Sequence, residues 1–584
     1  MYRSAHKIRF LFRALILGAV ALAIVTGALA VSLPFLIDGR SVRDAIIRSL
    51  SAWSGGPVAI KGPLHIASPT AFSIAATNVR FAAATRLYPV TRMEAESVTL
   101  VPKISSLLRG RLEFKQVLLE SPRFVFRRDW FSSKPLFFGL DTARLAAAFA
   151  DRSRFERLEL RNAVLFASSG KRPYGRTHAD WVRLDKGPAK PSTQLGAEEA
   201  EESGGDYISF SIKDRGLEAS YRGLFNFQAQ TAVGSLRLSV PQDYPESAKI
   251  VSSLVPWEIG RGVSIAGDLA WSARHATLDN TTASFGDETA KGSLAAGIRR
   301  GRAFLEGTLA FDTLALMTGE PKQGTAKAIL EPLQAFAESA SGKDRDLDMR
   351  ISAEHFQAGP FDAGPLAAAL TARQDRFSID IAELTLFGGT VKGRLDYNLG
   401  DKPAIILDAS GSKLDSRSLS GLLGWPVSIS GPATVRLTLN IPAHGYRANA
   451  LPSGSFAIDF PAGGTVAGDA AKKLSAAFSS GEAFWPFSRS SLPFAAANVE
   501  GTSGPGGIAF KIDGESGTSH IGGAVRISSP DNAVSGTLSV AQEAQAPAAP
   551  GGTAAASGGQ ANIALSGTVA SLEFSPTAKP SLSN

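Results

Sequence analysis

Alternation with a period of two runs through most of this 584-residue chain and constrains its fold more than any other feature. Val58, Ile60, Gly62, Leu64 and Ile66 share one parity, with Lys61 and His65 on the other. The phrase recurs at Val263, Ile265, Gly267, Leu269 and Trp271. It recurs again at Val427, Ile429, Gly431, Ala433, Val435, Leu437 and Leu439, and near the end at Ile563, Leu565, Gly567 and Val569. Successive side chains of a strand point to opposite faces, so each phrase predicts a strand with one apolar face. Gly62, Gly267, Gly431 and Gly567 all fall on that face, and a glycine inside a strand marks a bend, a bulge or a close approach. Ordinary sandwich curvature is one explanation, and long strands curling around the apolar side is the other. Residues 427–439 would span about 40 Å at roughly 3.3 Å each, and sandwich strands usually run about 3–10 residues. The expectation is therefore a mainly β chain, built as an elongated, twisted, curved antiparallel β-sheet gutter with a few short helices. Val58, Ile60, Leu64, Val263, Ile265, Leu269, Val427, Ile429, Val435, Leu437 and Leu439 are its expected apolar lining, and the four glycines its bends.

One segment departs from this period. Arg3, Lys7, Arg9 and Arg13 precede an uncharged run from Ala14 to Ile37. As a helix it would be about 36 Å long, enough for a bilayer core of roughly 30 Å. The basic flank predicts a cytoplasmic tail over 1–13, a transmembrane helix over 14–37 and an exported remainder. A cleaved signal peptide ending near Ala28-Leu29-Ala30 is the alternative. Both export the body, and no second run of comparable length follows.

The body is expected to start with an N-terminal β domain over 38–185. It opens on a short amphipathic helix, 41–53, with Val42, Ile46, Leu50 and Trp53 on one face, Ser41 as its cap and Gly55-Gly56-Pro57 as its stop. An acidic linker, 186–205, leads to a repetitive β-groove region over 206–540. An Ala/Gly/Pro/Gln-rich loop, 541–560, is too simple in composition to fold, and a final strand and tail occupy 561–584. Helical periodicity also marks 141–151, 321–340 and Leu414–Trp425, the last with Ser416 as cap.

Composition bounds the chemistry. The chain has no cysteine, which excludes disulfides, thiolate metal sites and cysteine nucleophiles. Net charge is +8, and residues 103–183 alone hold 17 Lys/Arg against 8 Asp/Glu, a local +9. No nucleic-acid motif accompanies that stretch. It reads as a solvated basic strand face or as a contact with anionic lipid through Arg109, Arg111, Arg123, Arg127 and Arg128. The seven histidines show no metal-ligand spacing, and no nucleophile elbow, phosphate loop or dinucleotide fingerprint is present. No catalytic, cofactor or metal residue is expected, and the chain is not expected to be an enzyme. A paired-carboxylate hydrolase leaves no such motif and stays as a third alternative.

An exported apolar groove next to a bilayer suits an acyl chain, because each buried methylene contributes about 0.8 kcal/mol without any specific contact. The residues also carry a resemblance. The membrane run and amphipathic helix lead into Val58-Ala59-Ile60-Lys61-Gly62-Pro63-Leu64, then Phe72–Phe81, Glu96–Pro102, Leu107–Phe114 and Val117–Phe124. Further on come Leu384–Gly393, Leu414–Leu423 and Ile429–Ala433, within a block over 377–440. In this order the pieces, about 130 residues in all, resemble the AsmA family of Gram-negative envelope proteins, which are similar to chorein-type bridge-like lipid transfer proteins. The resemblance implies an inner-membrane anchor with a cytoplasmic N-terminus, a periplasmic β-groove body, and phospholipid movement between inner and outer membranes in support of outer-membrane biogenesis. Its implied partners are phospholipid acyl chains, the inner membrane, and the outer membrane or an envelope partner protein, with no nucleic acid. The alternative is a non-carrying envelope scaffold or outer-membrane protein assembly factor.

Overall fold

A computed structural model describes residues 40–68, 72–82, 90–107, 109, 112–127, 155–169, 172–187, 206–242, 262–315, 345–422, 428–442, 452–476, 491–542 and 560–577, apart from breaks of one to three residues inside them. The expected membrane run 14–37, the helical candidates 141–151 and 321–340, and most of the loops 186–205 and 541–560 lie outside these residues. Among the described residues no helix is long and apolar enough to cross a membrane.

The chain is mainly β. Among the described residues, twenty-nine strands belong to a large mixed sheet and three to a small antiparallel one, while helices are few and short. Two compact units divide it: residues 1–250 with 260–279, and residues 251–259 with 280–584.

The first unit begins with the helix Arg40–Ser54. Its backbone is already helical at Arg40, so Ser41 stands inside the first turn and not at the cap. Gly55 ends it in the left-handed conformation, φ 72°, and its N–H closes on the Ser51 carbonyl at 2.9 Å. Ile46 and Leu50 are fully buried and Trp53 nearly so. Each such side chain contributes about 1.5–3 kcal/mol on leaving water. They pack on the apolar face of the strands Val58–Ile60, Ser73–Ala82 and Val90–Pro102. Trp53 meets Phe81 edge-on with ring centroids 6.0 Å apart. Arg43 fixes the helix by donating to the carbonyls of Ile60 and Gly62, both at 3.2 Å. From there the strand ladder continues to Val263–Trp271.

The second unit is a succession of strands from Glu288–Arg299 to Ser571–Pro576. After Gln542 the chain comes back as Gln560–Thr568 and pairs antiparallel with Ala533–Gln542. The short helix Ser416–Leu422 interrupts the succession. Its cap is Asp415, whose carboxylate accepts from the Ser418 N–H at 3.1 Å and the Ser418 hydroxyl at 2.7 Å. Ser416, the expected cap, instead donates to the carbonyl of Gly431 at 2.8 Å.

The sheet is mixed where sequence predicted antiparallel pairing throughout. Phe114–Glu120 and Arg123–Arg127 both pair parallel with Arg157–Ser169. Arg302–Ala315 pairs parallel with Arg345–Ala358. Parallel neighbours need a crossover of a dozen or more residues. Residues 128–156 and 316–344, which supply the two crossovers, are 29 residues each. The two helical candidates at 141–151 and 321–340 fall inside them.

A second difference concerns the longest phrase. Residues 427–439 do not form one strand. Ser428–Ser430 belongs to the small sheet with Gly464–Ala467 and Ser491–Phe494. Pro432–Pro442 belongs to the large one. Gly431 lies between them at φ 143°, and a Cβ there would stand 2.5 Å from the Gly463 carbonyl oxygen. The break is therefore a conformation that only glycine adopts without strain.

Candidate functional site

Cross-strand register aligns the apolar positions of the second unit into rows. One row passes through Ala409, Leu437, Phe456, Gly501, Phe510 and Val525, each paired with the next. It continues through Gly393, Ile381, Ala368, Ile351 and Leu309 to Gly292 on one side. On the other side it runs through Gly536 and Leu565 to Phe574. All fifteen members are apolar or glycine, one from each of fifteen strands. Fourteen interstrand steps at about 4.8 Å carry the row about 67 Å along the sheet.

The flanking rows repeat the pattern. Leu439 pairs with Leu407, Leu407 with Leu395, and Leu395 with Ile379. Val435 pairs with Ile458, Ile458 with Val499, and Val499 with Ile512. The opposite face is polar. Its row runs Arg394, Asp408, Thr438, Ser455, Thr502. Ion pairs lie there as well, such as Arg436 to Asp459 at 3.1 Å. Asp396 is held below the usual carboxylate range: burial pushes it up, but the Ser378 hydroxyl and the guanidiniums of Arg376 and Arg394 more than offset that.

Of the fifteen row members, Leu309, Val525 and Leu565 are buried and the other twelve are half-buried. That row is neither in water nor sealed, whereas the row Ala372, Phe377, Tyr397, Ile405 and Ile441 further along the same face is buried. An open concavity of about 910 Å³ crosses the same strands, but most of its lining, including Arg436, Thr438, Ser455, Thr502 and Lys511, belongs to the polar face. Two features fill part of the face. The Phe456 ring leans over Gly501, where a Cβ would meet it at 2.5 Å. The small sheet sets Ile429 and Phe494 against Val435, Ile458, Phe460, Ala497 and Val499. Beyond it, Lys473 reaches the Leu572 carbonyl at 3.2 Å.

The expected lining residues divide between different environments. Val435, Leu437 and Leu439 seed three adjacent rows of the half-open face, and Ile429 packs beside Val435 from the small sheet. Val427 lies outside the described residues. Val58 and Ile60 are sealed under the helix Arg40–Ser54 and line no open surface, and Leu64 packs against the same core. Val263, Ile265 and Leu269 share one face of the last full strand of the first unit, with Val263 buried and the other two half-buried. Nearby, Tyr221 donates to the carbonyls of Leu224 at 2.8 Å and Val233 at 3.1 Å, and burial pushes its phenol well up.

The four expected bend glycines have three separate roles. Gly267 is a mid-strand close approach, with the Asp279 carbonyl 2.8 Å from a Cβ position. Gly62 lies in the break between Val58–Ile60 and Leu64–Ser68, tight against Thr77. Gly431, at φ 143°, follows the end of Ser428–Ser430, and Gly567, at φ 102°, is the penultimate residue of Gln560–Thr568. Among the row glycines, Gly501 and Gly536 escaped sequence reading, and only pairing register reveals what they share.

The expected lipid-contact arginines are not brought together. Arg109 follows the Pro102 end of the strand Val90–Pro102, whereas Arg123 pairs with Glu94, eight residues back along it. That is about 26 Å. Arg127 continues away from Arg109 on the Arg123–Arg127 strand, and Arg111 and Arg128 lie outside the described residues.

Among the described residues no group of three or more His, Asp or Glu is placed to hold a metal ion. No family model matches the chain, no curated protein matches it, and no solved structure matches it.

Proposed function

We infer that this chain is a membrane-anchored, non-enzymatic carrier whose second unit holds the acyl chains of phospholipid on its half-open apolar face. The reading includes an inner-membrane anchor over 14–37, a periplasmic body, AsmA-type ancestry and lipid movement toward the outer membrane. The single observation that carries it is the fifteen-strand apolar row, continuous in register and only half-buried. Contiguous apolar surface of this kind normally meets a ligand or partner. The opposite face is polar and needs none.

The test is extraction of the purified full chain followed by lipid mass spectrometry. Phospholipid above the level of a membrane protein of similar size is expected, and its headgroup names the cargo. A folded, lipid-free protein refutes the carrier. A second reading, a non-carrying envelope scaffold or assembly factor, is favoured by one feature: Phe456 over Gly501 and the small sheet against Val435 fill the face from within. Under that reading the extraction is clean and the chain captures a protein partner.

A further inference from the structure

We propose that the one-turn helix Ile104–Leu107 of the first unit, with Arg109 after it, is a membrane-contact point, with Ile104 seated in the lipid interface and Arg109 at the headgroups; this rests on the membrane-anchored reading above. Ile104 is 58% exposed, more than any other large apolar side chain described. The unit around it buries such groups thoroughly, with Val79, Phe81, Val98 and Leu100 at 0%. The exposure is built in and does not come from a loose loop. Lys103 N–H bonds the Glu113 carbonyl at 2.7 Å, and the Ser106 hydroxyl donates to the Glu113 carboxylate at 2.7 Å. Arg109 closes the turn through its N–H to Ser106 and its Nε to the Ser105 carbonyl, both at 3.0 Å. Arg109 itself stays exposed. An apolar tip with a flanking cation suits an interface of acyl chains and anionic headgroups.

Position supplies the second line of argument. The helix Arg40–Ser54 runs antiparallel to residues 58–62, since Ser51 accepts from Val58 N–H while Arg43 reaches Ile60 and Gly62. Its Arg40 end therefore points the way that segment continues, toward Ile66. Register carries that direction across the sheet: Ile66 pairs with Ile74, and Ile74 with Leu100. Two residues later Pro102 ends its strand and the turn begins. The Arg40 end of the helix thus lies toward the same end of the sheet as Ile104.

The absence of cysteine makes the test clean. Ile104→Cys and, beside Glu94 eight residues back along the strand from Pro102, Arg123→Cys are each labelled with an environment-sensitive fluorophore. The full-length variants are reconstituted in vesicles of phosphatidylethanolamine and phosphatidylglycerol, with or without doxyl-labelled lipid. The expected result is a blue-shifted, doxyl-quenched probe at residue 104 and a water-like, unquenched probe at 123. Co-flotation with vesicles but a water-like probe at 104 overturns the proposal and leaves the anchor reading standing. Equal quenching at both positions overturns it too, because the body would then lie flat on the bilayer. Failure to co-float overturns both.

Discussion

The two units use the same strand chemistry and finish it differently. In the first, Ile46, Leu50 and Trp53 of one helix cover the apolar face, and Phe81, Val98, Leu100 and Val117 beneath them retain no accessible surface. In the second, the corresponding face is partly covered by a small sheet, and Leu437, Phe456 and Phe510 stay half-buried. A strand with one apolar face does not by itself say whether that face becomes a core or a trough. The difference is made by what crosses over it. Burial under a close-packed layer fixes each side chain against many partners, while a half-open face leaves surface that a mobile ligand can take.

That contrast is most open to attack at matched positions. Phe81→Ala removes a sealed ring and is expected to cost about 3–5 kcal/mol, read as a lowered urea midpoint of the unfolding transition. Leu437→Asp places a charge on the half-open face. It is expected to fold, with little change in midpoint, and to lose co-purifying phospholipid. If Leu437→Asp collapses the fold as Phe81→Ala does, the second unit has a closed core and the two units differ only in degree. Gly431→Ala acts at the passage between the two sheets. The strained φ and the contact with Gly463 predict a loss of about 1–3 kcal/mol, with faster proteolysis within 428–467. A rate unchanged from wild type would mean that the small sheet contributes nothing to covering the face.

Much of this was legible in the sequence, and the losses have physical causes. Alternation over Pro432–Pro442 placed Val435, Leu437 and Leu439 on one face because strand period survives any tertiary context. The break before it was hidden, because Gly431 changes the path of the chain without changing parity. Pro432 was the available signal, since a proline inside a run fits only the first position of a strand or an edge. The helix Arg40–Ser54 was readable from its apolar stripe, but Val58 and Ile60, which it covers, read as groove lining, because strand period does not say what packs on a face. Register was not readable at all. Nothing in the local pattern links Gly393, Gly501 and Gly536, and nothing warns that Arg109 and Arg123, fourteen positions apart in sequence, stand about eight residues apart along one strand, roughly 26 Å. The parallel pairings were half-visible: helical periodicity at 141–151 and 321–340 marked long connections, and long connections permit parallel neighbours.

The smallest expected effect separates the units by pH. The Ser418 hydroxyl, with the backbone N–H groups of Ser418 and Arg417 and the charge of Arg417, holds the Asp415 carboxyl below the usual carboxylate range, against a weaker opposing push from burial. A group depressed in the folded state contributes stability that is present above its unfolded pKa, about 3.9 for aspartate. That contribution is lost as pH falls through the lower folded value. Asp415 caps the helix Ser416–Leu422, whose first residue is tied to Gly431, so the loss should appear in the transition that reports the second unit. Asparagine caps as well as aspartate but does not titrate. Asp415→Asn should therefore match wild type near neutrality to within about 0.5 kcal/mol. Below about pH 4 the wild-type urea midpoint should fall more steeply than that of the variant, with the gap shrinking in high salt. Phe81→Ala in the same background should leave both curves and the gap in place, because that ring belongs to the core of the first unit. Parallel curves for wild type and Asp415→Asn would remove the charge from the cap. Both curves moving with Phe81→Ala, the gap unchanged, would show that the sealed core and the half-open face unfold as one.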